Sequence, residues 1–217
     1  MTEPGERGGG LAERLVAWMA ANRTALDALM AEEASRARHL EFIRAESGGL
    51  PDRAERLGAA RDASARAWLR HLGRGLSIEW SAAPRELAGR LEAAAAGDPE
   101  RLEALVLEER AAAERRGRSG DPAADLRDAE LLARCRLFAE SVGRALDGDA
   151  PGLGRRVGAW LDEHAGERRA EEAAARDAWR APSGGEADDA RAGEAAAVWA
   201  HMRALASALE HHLPGAP

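Results

Sequence analysis

The chain has 217 residues, of which 45% are hydrophobic and 32% are charged, and its formal net charge is −7. This length and composition suit one globular domain with a buried core, or one domain with an appendage. The net negative charge argues against a general binder of nucleic acids or anionic membranes, because phosphate contacts need a basic surface.

The absence or scarcity of some residue types excludes further kinds of catalytic and binding site. The sequence contains no lysine, so it has neither a Schiff-base lysine nor a phosphate-loop lysine. Its single cysteine, Cys135, cannot form an intrachain disulfide, and we therefore expect a reducing, cytoplasmic location. The N-terminal residues lack the basic and apolar regions of a secretion signal, and no window approaches about 18 apolar residues, so we expect no membrane partner.

The composition predicts an all-α protein. Isoleucine and phenylalanine occur only twice each, whereas alanine, leucine, glutamate and arginine, which are strong helix formers, dominate. Residues 1–9 are predicted to be a disordered tail. From Leu11 to Ile43, apolar residues recur at steps of three and four, which indicates either two helices, 10–22 and 25–46, or one kinked helix. Thr24 and Asp27 resemble a capping box in this region.

A break over 47–52 offers Asp52 as the N-cap of the next helix. That helix carries an apolar stripe that includes Trp68, Leu72 and Leu76. A short turn is then predicted to hold Ile78 and Trp80, and a further helix is predicted after Pro84.

The tripeptide Gly-Asp-Pro occurs at 97–99 and 120–122, and 148–151 is a looser Gly-Asp-Ala-Pro copy. Glycine can end one helix, aspartate can cap the next, and proline fits the first helical position, where no amide partner is lost. The repeated break therefore predicts antiparallel helices near 99–116, 122–146 and 152–180.

These elements define the predicted domain organisation. We expect a helical bundle of about six to eight helices over 10–180, a linker over 181–194, and a C-terminal helix and tail over 195–217. The final helix, about 195–212, places Val198, Met202 and Leu209 on one apolar face together with Leu205. This face predicts a homodimer formed through the last helix.

No residue pattern assigns a catalytic, cofactor-binding or metal site. A di-iron bundle needs Glu-x-x-His on two helices, and that motif is absent. Among the six histidines, His164 lies on the apolar stripe of Val157, Trp160 and Leu161, and a core or boundary histidine with a backbone partner is the favoured interpretation. Cys135 lies between two arginines, but its position near the apolar stripe of its helix favours a buried, inert thiol.

Tryptophan follows alanine at Trp18, Trp68 and Trp160. The unequal gaps between them exclude a solenoid repeat. Core anchors are the simpler interpretation of these residues, and a tryptophan-lined pocket between helices is the alternative.

Residues 85–142 run through a helix, a Gly-Asp break, an arginine-rich helix, a turn matched by Arg116 through Gly120, and a helix that includes Leu126. This segment resembles the helical N-terminal sensor domains of stressosome co-antagonist proteins, the RsbR-type, globin-like family. The Trp-bearing helix over 63–72 would correspond to an upstream helix of that family. The resemblance implies a globin-like sensory domain that need not bind haem. A second signalling domain usually follows in that family, and residues 143–217 are too short for a strand-rich one.

Two functional hypotheses follow. The first is a non-enzymatic, cytoplasmic regulatory or sensory interaction domain that acts through a protein partner or self-association. The alternative is a metal- or haem-dependent helical-bundle oxidoreductase that uses His39, His71 and His164.

Overall fold

The computed structural model describes residues 10–46, 52–80, 88–89, 91, 98–116, 121–146, 150–180 and 185–213. Within these ranges the chain forms eight helices and no strand, which confirms the all-α bundle and the predicted number of helices. The helices are α1 (Leu11–Ala21), α2 (Arg23–Glu46), α3 (Arg53–Trp80), α4 (Pro99–Arg116), α5 (Pro122–Leu146), α6 (Ala150–Glu163), α7 (Ala165–Trp179) and α8 (Glu186–His212). The predicted tail over 1–9, the helix start after Pro84 and the cap at Asp149 lie outside the described residues.

Aspartate caps begin α3, α4 and α5 as the sequence predicts. Asp52 and Glu55 form a reciprocal capping box: the Glu55 amide donates to Asp52 Oδ1 at 2.8 Å, and the Asp52 amide donates to Glu55 Oε2 at 2.9 Å. The Arg101 amide donates to Asp98 Oδ1 at 3.1 Å, and the amides of Ala123 and Ala124 donate to Asp121 Oδ1. The two Gly-Asp-Pro copies are therefore helix starts.

Two local boundaries differ from the sequence prediction. The break between α1 and α2 lies at Asn22, whose amide and side-chain nitrogen both donate to the Trp18 carbonyl, and Thr24 lies inside α2. Helix α3 continues through Ile78 and Trp80, where a turn was predicted. Only at the second place does a helix continue through a predicted turn; at the first, the predicted break is present and lies at Asn22.

The single helix predicted over 152–180 is wrong, because the structure divides it at His164. The backbone of His164 leaves the helical region, with φ −98° and ψ 22°, and its Nδ1 donates to the Trp160 carbonyl at 2.8 Å. Ala165 starts α7, and Gly166 follows in its first turn, where a Cβ would meet no atom within 4 Å. A histidine side chain that satisfies a helix-terminal carbonyl thus ends α6 inside a strongly helical sequence.

The linker predicted over 181–194 is also shorter than expected, because α8 begins at Glu186. Three acidic residues, Glu186, Asp188 and Asp189, occupy its first turn, where they favour the positive end of the helix dipole. Arg180 at the end of α7 pairs with both carboxylate oxygens of Asp189, at 2.7 and 3.0 Å. These contacts hold the first turn of α8 against the end of α7.

Helix α8 lies at the centre of the bundle and contacts α1, α3, α5, α6 and α7. Its apolar face, which includes Val198, Met202, Leu205 and Leu209, is completely buried inside the chain. The predicted dimerisation through this face is therefore wrong, since the face is already covered by the other helices. The main core combines it with Leu15, Leu72, Phe138 and Leu153.

Candidate functional site

Two surface features stand apart from the core, and the first lies on α2. Leu40, Phe42 and Ile43 near the end of this helix are 59%, 61% and 46% exposed. We call these three residues the outer surface of α2. The other large apolar side chains that are exposed in the described chain are single residues on four other helices: Ile78, Leu107, Leu126 and Trp179.

The outer surface lies beyond the part of α2 that packs into the bundle. The first half of α2 buries Leu26, Leu29 and Glu33, and no described side chain after Glu33 on this helix is buried. The Glu33 carboxylate accepts hydrogen bonds from Arg70 Nη1 at 2.8 Å and Arg66 Nε at 2.9 Å on α3. Burial alone would raise the pKa of Glu33, but the two arginines outweigh it and lower that pKa. The middle of α2 is therefore attached to α3 by charges, and the apolar residues near its end are exposed.

The second feature is a charged cleft formed by α4, α5, α6 and α7. One part, a cavity of about 280 Å³, is lined by four carboxylates and two guanidinium groups, and we call it the acidic lobe. These charged residues are Glu109, Asp125, Asp128, Asp162, Arg168 and Arg169. An adjoining cavity of about 230 Å³, the arginine lobe, is lined by Arg127, Arg169 and Arg176 together with Glu172. Both lobes share Asp125, Asp128 and Arg169, so they form one continuous cleft.

Asp128 lies at the floor of the charged cleft, between two buried partners. Its Oδ2 accepts from Arg168 Nη2 at 2.8 Å, and its Oδ1 lies 3.6 Å from Nε2 of His201 on α8. Arg168 also donates to the Leu161 carbonyl at 2.8 Å, which fixes its guanidinium group. The Asp128 carboxylate is thereby held in one orientation at the floor of both lobes.

His201 is fully buried behind Asp128. Its Nδ1 lies 2.8 Å from the Ala197 carbonyl oxygen, which only accepts, so Nδ1 carries the hydrogen. In the neutral ring, Nε2 is then a bare acceptor, and it has no hydrogen-bond partner within the described chain. Two acceptors, His201 Nε2 and Asp128 Oδ1, therefore face each other at the base of the cleft.

Burial and the nearby charges set the protonation of this cluster. Burial, and then the Arg168 charge, lower the pKa of His201 to about 3, so the imidazole is neutral at physiological pH. Burial alone would raise the pKa of Asp128, but the charge of the Arg168 guanidinium and its hydrogen bond outweigh burial and lower that pKa. Burial raises the pKa of Glu172 in the arginine lobe.

The sequence predictions for Cys135 and His164 are confirmed. Cys135 is fully buried, and burial raises the pKa of its thiol to about 12, so little thiolate forms. His164 is half-buried, donates to the Trp160 carbonyl and stacks on the Trp160 ring at a centroid distance of 3.7 Å. It is a boundary histidine with a backbone partner.

The tryptophans contribute to packing. Trp68 is buried in the core, and Trp18 and Trp160 pack against that core while remaining partly exposed. Neither of the cleft's two lobes is lined by any of the three. Trp68 contacts Trp199 on α8 at a centroid distance of 5.2 Å, so it anchors α3 to the central helix.

The three histidines of the alternative hypothesis do not come together. His39 is exposed on α2, whereas His71 is buried on α3, where its Nε2 lies 3.3 Å from the Met19 carbonyl oxygen. His164 contacts Trp160 on α6. Across the described ranges, no group of three or more His, Cys, Asp or Glu side chains is placed to hold a metal ion.

Sequence analysis missed Asp128, Arg168 and His201. His201 was detectable, because it lies three residues after Val198 and four before Leu205 on the apolar stripe of α8. Its partners were not, because Asp128 and Arg168 come from helices that only the tertiary fold brings beside α8.

No protein-family model matches the chain, and neither a curated protein nor a solved structure shows significant similarity to it. Within the part of the chain that the structure describes, every helix is too short or too polar to cross a bilayer.

Proposed function

We propose that the chain is a non-enzymatic, cytoplasmic regulatory or sensory domain that acts by self-association through the outer surface of α2. The single observation that carries this proposal is the exposure of three large apolar side chains near the end of α2. Leu40, Phe42 and Ile43 are 59%, 61% and 46% exposed, and Phe42 lies on the side of the helix opposite the buried Glu33. Clustered exposed apolar side chains on a helix bordered by charges are typical of an interaction surface.

A second copy of this chain fits the surface because its charges are self-complementary. Arg38 and Glu46 are exposed, and they lie four residues before and four residues after Phe42. All three therefore share one face of α2. If two copies pack antiparallel about Phe42, Arg38 of each copy lies opposite Glu46 of the other, as a two-fold interface requires.

The resemblance to stressosome sensor domains agrees with a regulatory role, and the cytoplasmic assignment rests on the single cysteine. No observation on the described residues favours the oxidoreductase alternative over this proposal.

Multi-angle light scattering across a concentration series tests the proposal. We expect the native chain to form a dimer, and F42E and I43E to weaken it by at least about tenfold in Kd, or about 1.4 kcal/mol. L107E is the matched control, because Leu107 on α4 is 59% exposed and Phe42 is 61% exposed. Circular dichroism should show all four proteins equally helical. A monomeric native chain at every concentration, or an undiminished dimer in F42E, would reject self-association through this surface.

A charge exchange tests the antiparallel register. R38E places like charges opposite each other and should weaken the dimer several-fold at low salt, whereas the double variant R38E/E46R restores opposite charges and should recover it. If the double variant is as weak as R38E, the antiparallel pairing about Phe42 is wrong even when the dimer itself is confirmed.

A further inference from the structure

The charged cleft between α4, α5, α6 and α7 has two lobes of different character, on helices separate from α2. In the acidic lobe, four carboxylates face two guanidinium groups. In the arginine lobe, Arg127, Arg169 and Arg176 line the cavity with three carboxylates, of which Glu172 is paired with Arg127. The acidic lobe therefore favours a cation, and the arginine lobe offers Arg169 and Arg176 to an anion.

Two arginines of the arginine lobe are available to a ligand. Arg169 and Arg176 are exposed and lie seven residues apart on α7, so they project from the same face two turns apart. In the described chain, neither side chain makes a hydrogen bond or an ion pair. By contrast, Arg127 beside them donates to Glu172 at 2.6 Å. Arg169 and Arg176 can therefore receive a carboxylate without breaking an existing pair.

The floor of the cleft is built to present a carboxylate. Arg168 and the packing of α8 hold Asp128 in place, and the side chain of Asp128 remains 24% exposed toward the cleft. Behind it, the fully buried Nε2 of His201 is aimed at Asp128 Oδ1 and accepts no hydrogen bond. Arg168 supplies a donor to Asp128 Oδ2, but no donor lies between Asp128 Oδ1 and His201 Nε2, since both of these atoms are acceptors.

We propose that the charged cleft binds a small zwitterion of amino-acid size, with its ammonium group beside Asp128 in the acidic lobe and its carboxylate at Arg169 and Arg176. A simple cation would provide no negative group for the arginine lobe, and a simple anion would provide no positive group for the acidic lobe. Each lobe alone, at about 280 and 230 Å³, is smaller than a pocket for a drug-sized ligand. The cleft would make the domain a sensor of such a molecule, and this inference does not rest on self-association through α2.

Differential scanning fluorimetry and calorimetric titration with each standard L-amino acid in turn test the proposal. We expect at least one to raise the melting temperature at millimolar concentration. The N-acetyl derivative of that amino acid lacks the ammonium charge, and its methyl ester lacks the carboxylate charge. Each derivative should bind at least about tenfold more weakly than the parent.

The R169A variant should lose at least about tenfold in affinity, whereas R191A should retain it within about twofold. Arg191 is the matched control, because it is an exposed arginine on α8 outside the cleft, and both changes remove one positive charge. The proposal is overturned if no amino acid binds, if the N-acetyl form or inorganic phosphate binds as well as the parent, or if R169A binds normally. Light scattering on the same samples reports self-association separately, so failure of one proposal is distinguishable from failure of the other.

Discussion

At the scale of single residues, His201 has the largest effect on how stability depends on pH. It is neutral and fully buried beside Asp128 and Arg168, and its pKa in the folded chain is about 3. In the unfolded chain a histidine has a pKa of about 6.5. Between these two values the unfolded chain binds the additional proton, so the folded state loses stability as pH falls.

We expect this single group to remove about 2 kcal/mol of the free energy of unfolding between about pH 7 and about pH 5. Most carboxylates remain ionised over this window, so the loss reports histidines. Burial also lowers the pKa of His71, and His71 adds to the loss with the same sign. The H201Q variant should flatten the dependence without abolishing it, and urea unfolding at several pH values measures it.

The exposed His39 on α2 provides the control. H39Q should retain the native slope, even though it also removes one imidazole. If the free energy of unfolding of H201Q depends on pH as steeply as that of the native chain, the pKa of His201 is not lowered in the folded chain.

The same residue illustrates what sequence patterns can find. His164 and His201 both lie on apolar stripes, and the sequence placed His164 at the core boundary correctly. The apolar stripe of α8 does not reveal Arg168, the charged neighbour of His201, because Arg168 follows a helix break that the periodicity did not show. Buried charges on a helix, such as Glu33, look like solvent-facing residues until their partners on another helix are known.

At the scale of elements, helix starts were predictable and helix packing distances were not. The Asp and Pro residues at 98–99 and 121–122 act locally, on the amides of the next turn, and this is why α4 and α5 begin where the sequence predicts. How closely two helices approach depends instead on both surfaces. Glycines on α6 allow it to pack tightly against α5.

Gly154 shows this close approach. A Cβ at this position would collide with Glu140 Cγ on α5 and lie 3.2 Å from the Arg136 carbonyl oxygen. Glu140 cannot move aside easily, because its two carboxylate oxygens accept from Arg101 on α4 at 2.6 and 3.1 Å. We expect G154A to lower the free energy of unfolding by about 1–3 kcal/mol, as measured by chemical denaturation.

Gly166 on α7 offers an unhindered comparison, because a Cβ there would meet no atom within 4 Å. G166A should raise stability by up to about 1 kcal/mol through helix propensity. If G154A also stabilises the chain, the α5–α6 contact is looser than described.

At the scale of the whole molecule, the last helix changes role between the sequence and the structure. Its apolar face looked like an external interface because a glycine-containing segment precedes it. The fold instead uses that face as the centre of the core, against five other helices. A stripe of Val, Met and Leu shows that a helix face is buried, but it does not show which surface buries it. The periodic pattern likewise did not show that Leu40, Phe42 and Ile43 on α2 are exposed.

The central position of α8 predicts that the bundle cannot fold without it. Removing residues 186–217 exposes the core surfaces that Val198, Met202, Leu205 and Leu209 cover, and we expect the cooperative thermal transition seen by circular dichroism to disappear. Removing only 214–217 should leave the cooperative transition in place.

A point change tests the same claim without truncation: L205A should cost about 3 kcal/mol in the free energy of unfolding. S207A, two residues along on the more exposed side, should cost less than about 1 kcal/mol. A cooperative transition in the chain that lacks α8 would mean that the other seven helices form a core of their own.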